Sequence, residues 1–158
     1  MGRGTLKQID DFLALKRIAF VGVSRNPKDF NSALWQEFRQ RRVDAVPVNP
    51  RAQVLDGQPC FARVQDIAPA VEGALIMTAK KDTEQVVRDC IEAGIKKVWM
   101  YGGAAPGAQT KEALALCDAN GIEVIAGYCP YMFFKGSPAF HGLHRGWKKL
   151  TGSYPKPA

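Results

Sequence analysis

Residues 17–23 read RIAFVGV, and SRNP follows at 24–27. The first segment is a nearly unbroken apolar run, which is typical of a strand that is buried on both faces of a parallel sheet. Gly22 lies near its end, and the residues that follow favour a turn, so we expect the strand to open into a loop. A buried strand that leads through such a loop into a helix is the first unit of a doubly wound α/β fold.

The alternation of strand and helix continues along the chain. Further strands are predicted for residues 45–48, 74–79, 98–101 and 122–126, and a short one near Cys60 and Phe61. Helices are predicted for residues 31–42 (with Asn31 or Ser32 as the amino-terminal cap), 82–94 and 109–120. We therefore expect a parallel sheet of five or so strands with helices on both faces and with Phe20, Val46, Ile76, Val98 and Val124 in its core.

Length and composition fit one domain of ordinary size. The 158 residues are 46% hydrophobic and 23% charged, which is close to the average for globular proteins and excludes a disordered chain. No apolar run approaches the roughly 18 to 20 residues that cross a bilayer, and residues 1–11 lack the pattern of a secretory signal. We expect a cytoplasmic location and no membrane partner.

Positive charge is concentrated at the carboxyl end. The net charge is +7, and residues 128–158 contribute five Lys and Arg residues with no acid, among them Arg145, Lys148 and Lys149. Glycines, prolines and aromatics replace the strand and helix pattern here. We predict a main domain over residues 1–129 and an extension over 130–158 that wraps over the sheet. A solvated basic end and an anionic partner such as nucleic acid are both open interpretations.

The cysteine and histidine side chains do not form a recognisable metal or catalytic motif. Cys60, Cys90, Cys117 and Cys129 are spaced too far apart for a structural zinc site, and we expect Cys90 and Cys117 in the core. Cys129 could combine with His141 and His144 as metal ligands or act as a nucleophile. A buried, inert thiol is the interpretation we favour, so no metal and no catalytic residue is predicted.

Small polar residues and glycines follow several predicted strands, and ligands bind at these ends in open α/β sheets. The dinucleotide fingerprint GxGxxG fails, because Ser24 and Pro27 replace its second and third glycines and because Asn49 replaces the expected acid. The phosphate-binding loop GxxxxGK[ST] is absent as well. The loop after the first strand still suits a diphosphate, since it precedes a helix and carries Arg25 and Lys28.

Four runs in this order, IAFVGVSRNP, AVPVNP with a downstream LDGQPCF, ALIMTAKKD and KKVWMYGGA, resemble the CoA-binding domain family. Its members are small Rossmann-like proteins, similar to the amino-terminal CoA-binding domain of the succinyl-CoA synthetase alpha subunit. The resemblance covers about residues 13–129 and implies coenzyme A, or an acyl-CoA, as the ligand.

The resemblance also implies a role for individual residues. The diphosphate would lie against Gly22, Val23, Ser24 and Arg25, with Lys28 adding charge. The adenine and ribose would lie near Asn49 and Pro50, the nucleotide would be flanked by Thr78, Ala79 and Lys80, and the pantetheine arm would approach Tyr101 and Gly102.

Three functions are therefore compared. We favour a small CoA- or acyl-CoA-binding protein without catalysis. The alternatives are an enzyme or ligase-like subunit that uses CoA or a nucleotide cofactor, and nucleic-acid binding through the basic extension, which no recognised nucleic-acid motif supports. The oligomeric state is left open.

Overall fold

A computed structural model describes residues 2–103, 107–136 and 154–157. Five parallel strands form one sheet: β1 (Arg17–Val21), β2 (Asp44–Val48), β5 (Gly73–Ile76), β6 (Lys97–Tyr101) and β7 (Glu123–Tyr128). Their order in the sheet is β2-β1-β5-β6-β7. The helices are α1 (Leu6–Leu13), α2 (Phe30–Gln40), α3 (Lys80–Glu92) and α4 (Lys111–Ala119). The doubly wound parallel sheet predicted from the sequence is confirmed.

The helices cover both faces of the sheet. Side chains of α1 and α2 pack on one face, which we call the α1/α2 face, and side chains of α3 and α4 pack on the other, the α3/α4 face. All five residues predicted for the core are buried: Phe20, Val46, Ile76, Val98 and Val124. Cys90 and Cys117 are buried in the α3/α4 core, as expected.

Helix α1 is absent from the sequence prediction. Thr5 Oγ1 accepts a hydrogen bond from Gln8 N at 3.2 Å, and Gln8 Oε1 accepts one from Thr5 N at 2.8 Å. This reciprocal pair is a capping box, which satisfies two amide groups at the start of a helix. Ile9 and Phe12 then become buried. The spacing of Thr5 and Gln8 was the signal that could have indicated this helix.

The short strand predicted near Cys60 and Phe61 is wrong in its position. A two-stranded antiparallel ribbon pairs β3 (Val54–Leu55) with β4 (Gln58–Pro59), and β4 lies two residues before the predicted position. Gly57 supplies the left-handed conformation, with φ +71°, that its tight turn requires. Phe61 makes only an isolated parallel bridge to Val48.

The start of the carboxyl-terminal extension packs against the α1/α2 core. Met132 and Phe134 are buried, and Tyr154 lies against the ring of Phe133. The boundary predicted at residue 129 remains a prediction. His141, His144, Arg145, Lys148 and Lys149 lie outside the described residues.

Candidate functional site

A cleft of about 940 Å³ opens where the strand order reverses. Strand β1 pairs with β2 on one side and with β5 on the other, so the loops that follow these strands diverge and leave space between them. Seven of the residues predicted to bind the ligand line this cleft: Gly22, Val23, Ser24, Arg25, Asn49, Pro50 and Thr78. The structure therefore brings most of the predicted site together.

Gly22 allows the end of β1 to lie close to the backbone of Met77 and Thr78, which follow β5. Its φ is +98°, and a Cβ placed on it would lie 3.0 Å from the carbonyl carbon of Met77 and 3.2 Å from the amide nitrogen of Thr78. Its own amide donates to Val48 O at 3.0 Å. A side chain here would strain the backbone and push the two loops apart.

The loop after β1 is held by its own polar side chains. The Asp29 carboxylate accepts hydrogen bonds from Ser24 Oγ and, at 2.8 Å, from Asn26 Nδ2. Asn26 N donates to Ser24 Oγ at 3.1 Å, and Lys28 N donates to Asn26 Oδ1 at the same distance. Asp29 is engaged within the loop and does not line the cleft. These hydrogen bonds within the loop therefore define its shape.

Helix α2 begins earlier than predicted, with Asp29 as its amino-terminal cap, so the assignment of Asn31 or Ser32 to that position is wrong. Both side chains instead fix loop carbonyls. Asn31 Nδ2 donates to Gly22 O at 2.9 Å and to Met77 O at 3.2 Å. Ser32 Oγ lies 3.0 Å from Ser24 O and 2.9 Å from Asn26 O. The first turn of α2 therefore fixes the backbone of the loop after β1.

Two arginines bring positive charge to the cleft. Arg25 and Arg51 are exposed, and within the described ranges neither side chain forms an ion pair or hydrogen bond. Arg51 is placed by Asn49, whose Oδ1 accepts from Arg51 N at 2.8 Å and whose Nδ2 donates to Val23 O at 2.8 Å. Unpaired guanidinium groups beside a loop held by its own hydrogen bonds are suited to a phosphate group.

The wall opposite the loop contains a cluster that sequence reasoning missed. Arg63 Nη2 donates to Asp89 Oδ1 at 2.6 Å, and Gln85 Nε2 donates to the same oxygen at 3.0 Å. Burial acts to raise the pKa of Asp89, but hydrogen bonds from Arg63 and Gln85 outweigh it and hold the pKa below its usual value. Gln85 and Asp89 are one helical turn apart on α3, the only sequence signal for this cluster.

Between the loop and this cluster the cleft is apolar. We call its lining by Val21, Val48, Val64 and Val86 the valine slot. Val21, Val48 and Val64 are buried, and their side chains belong to the α3/α4 core. A slot of branched aliphatic side chains is suited to a flat, weakly polar group.

Five predicted site residues do not line the cleft: Lys28, Ala79, Lys80, Tyr101 and Gly102. Ala79 and Lys80 are exposed at the start of α3, beside Thr78. A Cβ on Gly102 would lie 2.2 Å from Gly127 Cα, so this glycine serves a close contact between the ends of β6 and β7. The roles assigned to these residues stay predictions.

Tyr101 lies on the α1/α2 face, whereas the valine slot belongs to the other face. Its ring contacts Phe30, with 5.6 Å between centroids. Burial, together with Cys129, raises the pKa of Tyr101 to about 12. Its hydroxyl therefore stays protonated at neutral pH, hydrogen-bonded to the thiol of the buried Cys129.

Metal ligands do not cluster in the part of the chain that the structure describes. In the same residues, no helix is long and apolar enough to cross a membrane. The proposed combination of Cys129 with His141 and His144 cannot be placed, because both histidines fall outside the described ranges.

Comparison with known proteins connects this geometry to a family. Residues 16–135 match the family described as CoA binding domain. The chain is 27% identical over 128 residues to the alpha subunit of an ADP-forming acetate–CoA ligase II from Pyrococcus furiosus. The match covers 77% of this chain but 28% of that subunit, so the chain spans less than a third of this relative's length.

Solved structures of similar size share the fold. A hypothetical protein from Pyrococcus horikoshii is 26% identical, with a TM-score of 0.72 over 81% of this chain and 92% of the other. A conserved hypothetical protein from Pyrococcus furiosus is 28% identical, with a TM-score of 0.66 over 72% of this chain and 95% of the other. Together with the match over residues 16–135, the cleft and its loop identify the chain as a member of the CoA-binding domain family.

Proposed function

We propose that this protein binds coenzyme A or an acyl-CoA in the cleft and performs no chemistry on it. The observation that carries the proposal is the position of Arg25 and Arg51, two unpaired cations beside the preformed loop after β1. Phosphate groups are the most strongly charged part of CoA, and a rigid loop with guanidinium groups binds them at little cost in ordering. Membership of the CoA-binding domain family supports the same ligand.

The ligand is proposed to lie across the cleft from the loop to the valine slot. The diphosphate contacts the loop of Gly22, Val23, Ser24 and Arg25, with Lys28 adding charge from outside the lining. The adenosine occupies the valine slot near Asn49 and Pro50. Thr78 then flanks the nucleotide from the β5 side.

The remaining predicted contacts belong to the finer part of the proposal. Ala79 and Lys80 at the start of α3 approach the nucleotide from its exposed side. The pantetheine arm leaves the cleft towards Tyr101 and Gly102 at the end of β6. The free thiols of Cys90 and Cys117 are compatible with the reducing cytoplasmic location that we propose.

Binding without catalysis is supported by the ionisation of the cleft. The pKa of Asp89, which lines the wall, is lowered, whereas a general acid or base that works at neutral pH needs a pKa near 7. Arg25 and Arg51 present guanidinium groups, which donate hydrogen bonds and have no acceptor atom. These residues can orient and hold a ligand, which is what the proposal requires of them.

The test is a calorimetric titration of the purified protein with CoA and, separately, with NAD. We expect CoA to bind and NAD to bind at least tenfold more weakly, because the fingerprint that holds the NAD diphosphate and ribose is absent. Equal affinities would contradict the proposal. Mass spectrometry of any ligand released from the protein would identify the acyl group.

The alternative function is that of a ligase-like subunit. It is favoured by the similarity to an alpha subunit of an ADP-forming acetate–CoA ligase, of which this chain spans 28%. An assay for the ligation of acetate to CoA by the purified chain tests for catalysis. Turnover would establish the ligase and contradict binding without chemistry.

A further inference from the structure

Asp89 is a buried carboxylate in the wall of a ligand cleft. Only 6% of its surface is exposed, and yet it contributes to the cleft lining. Burial of a charge is costly unless hydrogen bonds replace the lost water at each oxygen. The partners of its two oxygens therefore indicate what the wall can bind.

The two oxygens are used unequally. Oδ1 accepts from Arg63 Nη2 at 2.6 Å, from Gln85 Nε2 at 3.0 Å and from Gln65 Nε2 at 3.5 Å. Among the residues that the structure describes, Oδ2 receives only a long contact of 3.4 Å from Arg63 Nε. Oδ1 is filled, and Oδ2 keeps a free position for a hydrogen-bond donor.

The residues that bond to Asp89 Oδ1 have further donor groups. Gln85 has a second N–H, and Arg63 has its Nη1 group, for which the described residues provide no partner. Both side chains line the cleft with Asp89. The wall thus offers one acceptor next to donors, at the side of the valine slot.

We propose that Asp89 selects a 6-aminopurine in the valine slot, with Oδ2 accepting a hydrogen bond from the exocyclic amine. Gln85 or Arg63 donates to the adjacent ring nitrogen. This inference rests on the proposed function and names the specificity determinant of the same cleft.

Purines with an oxygen at position 6 fit this wall poorly in the orientation proposed for adenine, since their N1–H would meet the donor of Gln85 or Arg63 instead of an acceptor. Their carbonyl would direct lone pairs at the Asp89 carboxylate. Guanine can meet a carboxylate with its N1–H and its amino group together, but that arrangement needs both oxygens, and Oδ1 is already occupied by Arg63 and Gln85. The wall therefore favours adenine nucleotides over those of hypoxanthine and guanine.

The test compares CoA with its deaminated analogue, which carries hypoxanthine in place of adenine, by calorimetric titration. We expect the wild-type protein to prefer CoA by about tenfold or more, since a hydrogen bond to a charged group is exchanged for a repulsive contact. In Asp89→Asn the amide can turn an N–H towards the base, so we expect the preference to fall to about twofold or less.

Glu92→Gln is the matched control. Glu92 also contacts Arg63, at 3.7 Å, but it does not line the cleft, so this change should leave the preference intact. If Asp89 only supports the fold, Asp89→Asn weakens both ligands equally, and the inference is wrong. If the wild-type protein binds CoA and its deaminated analogue with equal affinity, the inference is wrong, and no variant is needed to show it. If the folded wild-type protein binds neither ligand, the proposed function fails instead.

Discussion

The two faces of the sheet are packed with different kinds of side chain. The α1/α2 face is rich in aromatics, including Phe12, Phe20, Trp35, Phe38 and Trp99. The buried core of the α3/α4 face consists of valine, isoleucine, alanine, methionine and cysteine. The large cleft opens on this second face.

The difference shows how one sheet provides both a tightly packed core and room for a ligand cleft. Alternate residues of a strand point to opposite faces, so Ala19 and Val21 of β1 lie on the α3/α4 face while Ile18 and Phe20 lie on the α1/α2 face. Aromatic side chains bury a large apolar area and fill one layer. Short aliphatic side chains on the other layer leave room at the strand ends. We expect changes on the first face to affect stability and changes around the cleft to affect binding.

The largest effect is expected from Trp99→Ala on the aromatic face. Trp99 is fully buried, its ring packs edge-on against Phe12 at 5.5 Å, and its Nε1 donates to Tyr128 O at 3.0 Å. Its loss should lower the free energy of unfolding by about 3 to 5 kcal/mol, as for other large core truncations. Urea denaturation measures this change.

The CoA affinity of the same variant tests whether the two faces act independently. The folded fraction of Trp99→Ala should bind CoA within about threefold of the wild type, a difference that converts to less than 1 kcal/mol. Trp99→Phe is the matched control, since it keeps most of the buried ring. If Trp99→Ala loses both stability and CoA affinity, the faces are coupled and the comparison fails.

Gly22→Ala is expected to affect both properties, because Gly22 lies where the core meets the cleft. The φ of +98° and the 3.0 Å approach to Met77 should together cost about 3 kcal/mol of stability. The loop proposed to hold the diphosphate should move with the strand end, so CoA affinity should fall as well. Denaturation and titration of one preparation measure both.

Gly57→Ala serves as the control for a positive φ without crowding. Its φ is +71°, but a Cβ would meet no atom within 4 Å, and Gly57 lies outside the cleft lining. Gly57→Ala should lower the free energy of unfolding less than Gly22→Ala does, and it should leave CoA affinity unchanged. An equal loss of affinity in both variants would show that general destabilisation, not loop position, explains the result for Gly22.

The fold could be predicted because its signals are local and repeated. The strand at residues 17–23 and the helix with Leu34, Trp35 and Phe38 are clear from periodicity, and the observed elements differ by a few residues at their ends. The strand predicted over 74–79 ends at Ile76, since Thr78 belongs to the loop beside the cleft. Helix α1 was missed because eight residues give a short pattern, although its capping pair was present.

The cleft could be predicted on one side only. Residues that follow strands, such as Ser24 and Asn49, are placed by the topology of any doubly wound sheet. Arg63 and Asp89 are 26 positions apart, and nothing in their local sequence indicates that they meet. Their pairing depends on how the segment before β5 packs on α3, which is a tertiary contact.

On the cleft side, Arg25→Ala is expected to weaken binding while leaving stability unchanged. The loss of one charge-assisted hydrogen bond to an exposed phosphate should cost about 1 to 3 kcal/mol, or about 5- to 150-fold in affinity. Dephospho-CoA keeps the diphosphate, so its affinity should fall by a similar factor. Calorimetric titration with both ligands measures this.

Lys28→Ala is the matched control, because Lys28 carries the same charge on the same loop but does not line the cleft. It should lower affinity less than Arg25→Ala. Unchanged CoA affinity in a folded Arg25→Ala variant would mean that the diphosphate does not contact this loop. Equal effects of both variants would indicate general attraction by charge, which moderate salt would abolish.

The smallest effect is expected from Asp29→Ala, and its direction tests whether the shape of the loop or its charge is more important. Removal of an acid near a phosphate should tighten binding slightly, but Asp29 is exposed and solvent screens it, so this gain is at most a few tenths of a kcal/mol. The same change removes the acceptor of Ser24 Oγ and Asn26 Nδ2, and the loss of loop order should cost about 1 kcal/mol.

We therefore expect Asp29→Ala to bind CoA about three- to fivefold more weakly, with the shape of the loop outweighing its charge. Raising the salt concentration weakens the electrostatic gain and leaves the loss of order, so the deficit relative to the wild type should grow. Asp29→Asn keeps one oxygen to accept from Ser24 or Asn26 and should show a smaller deficit. Tighter binding by Asp29→Ala at low salt would show that charge alone governs this loop, and the preformed hydrogen bonds would then have no part in recognition.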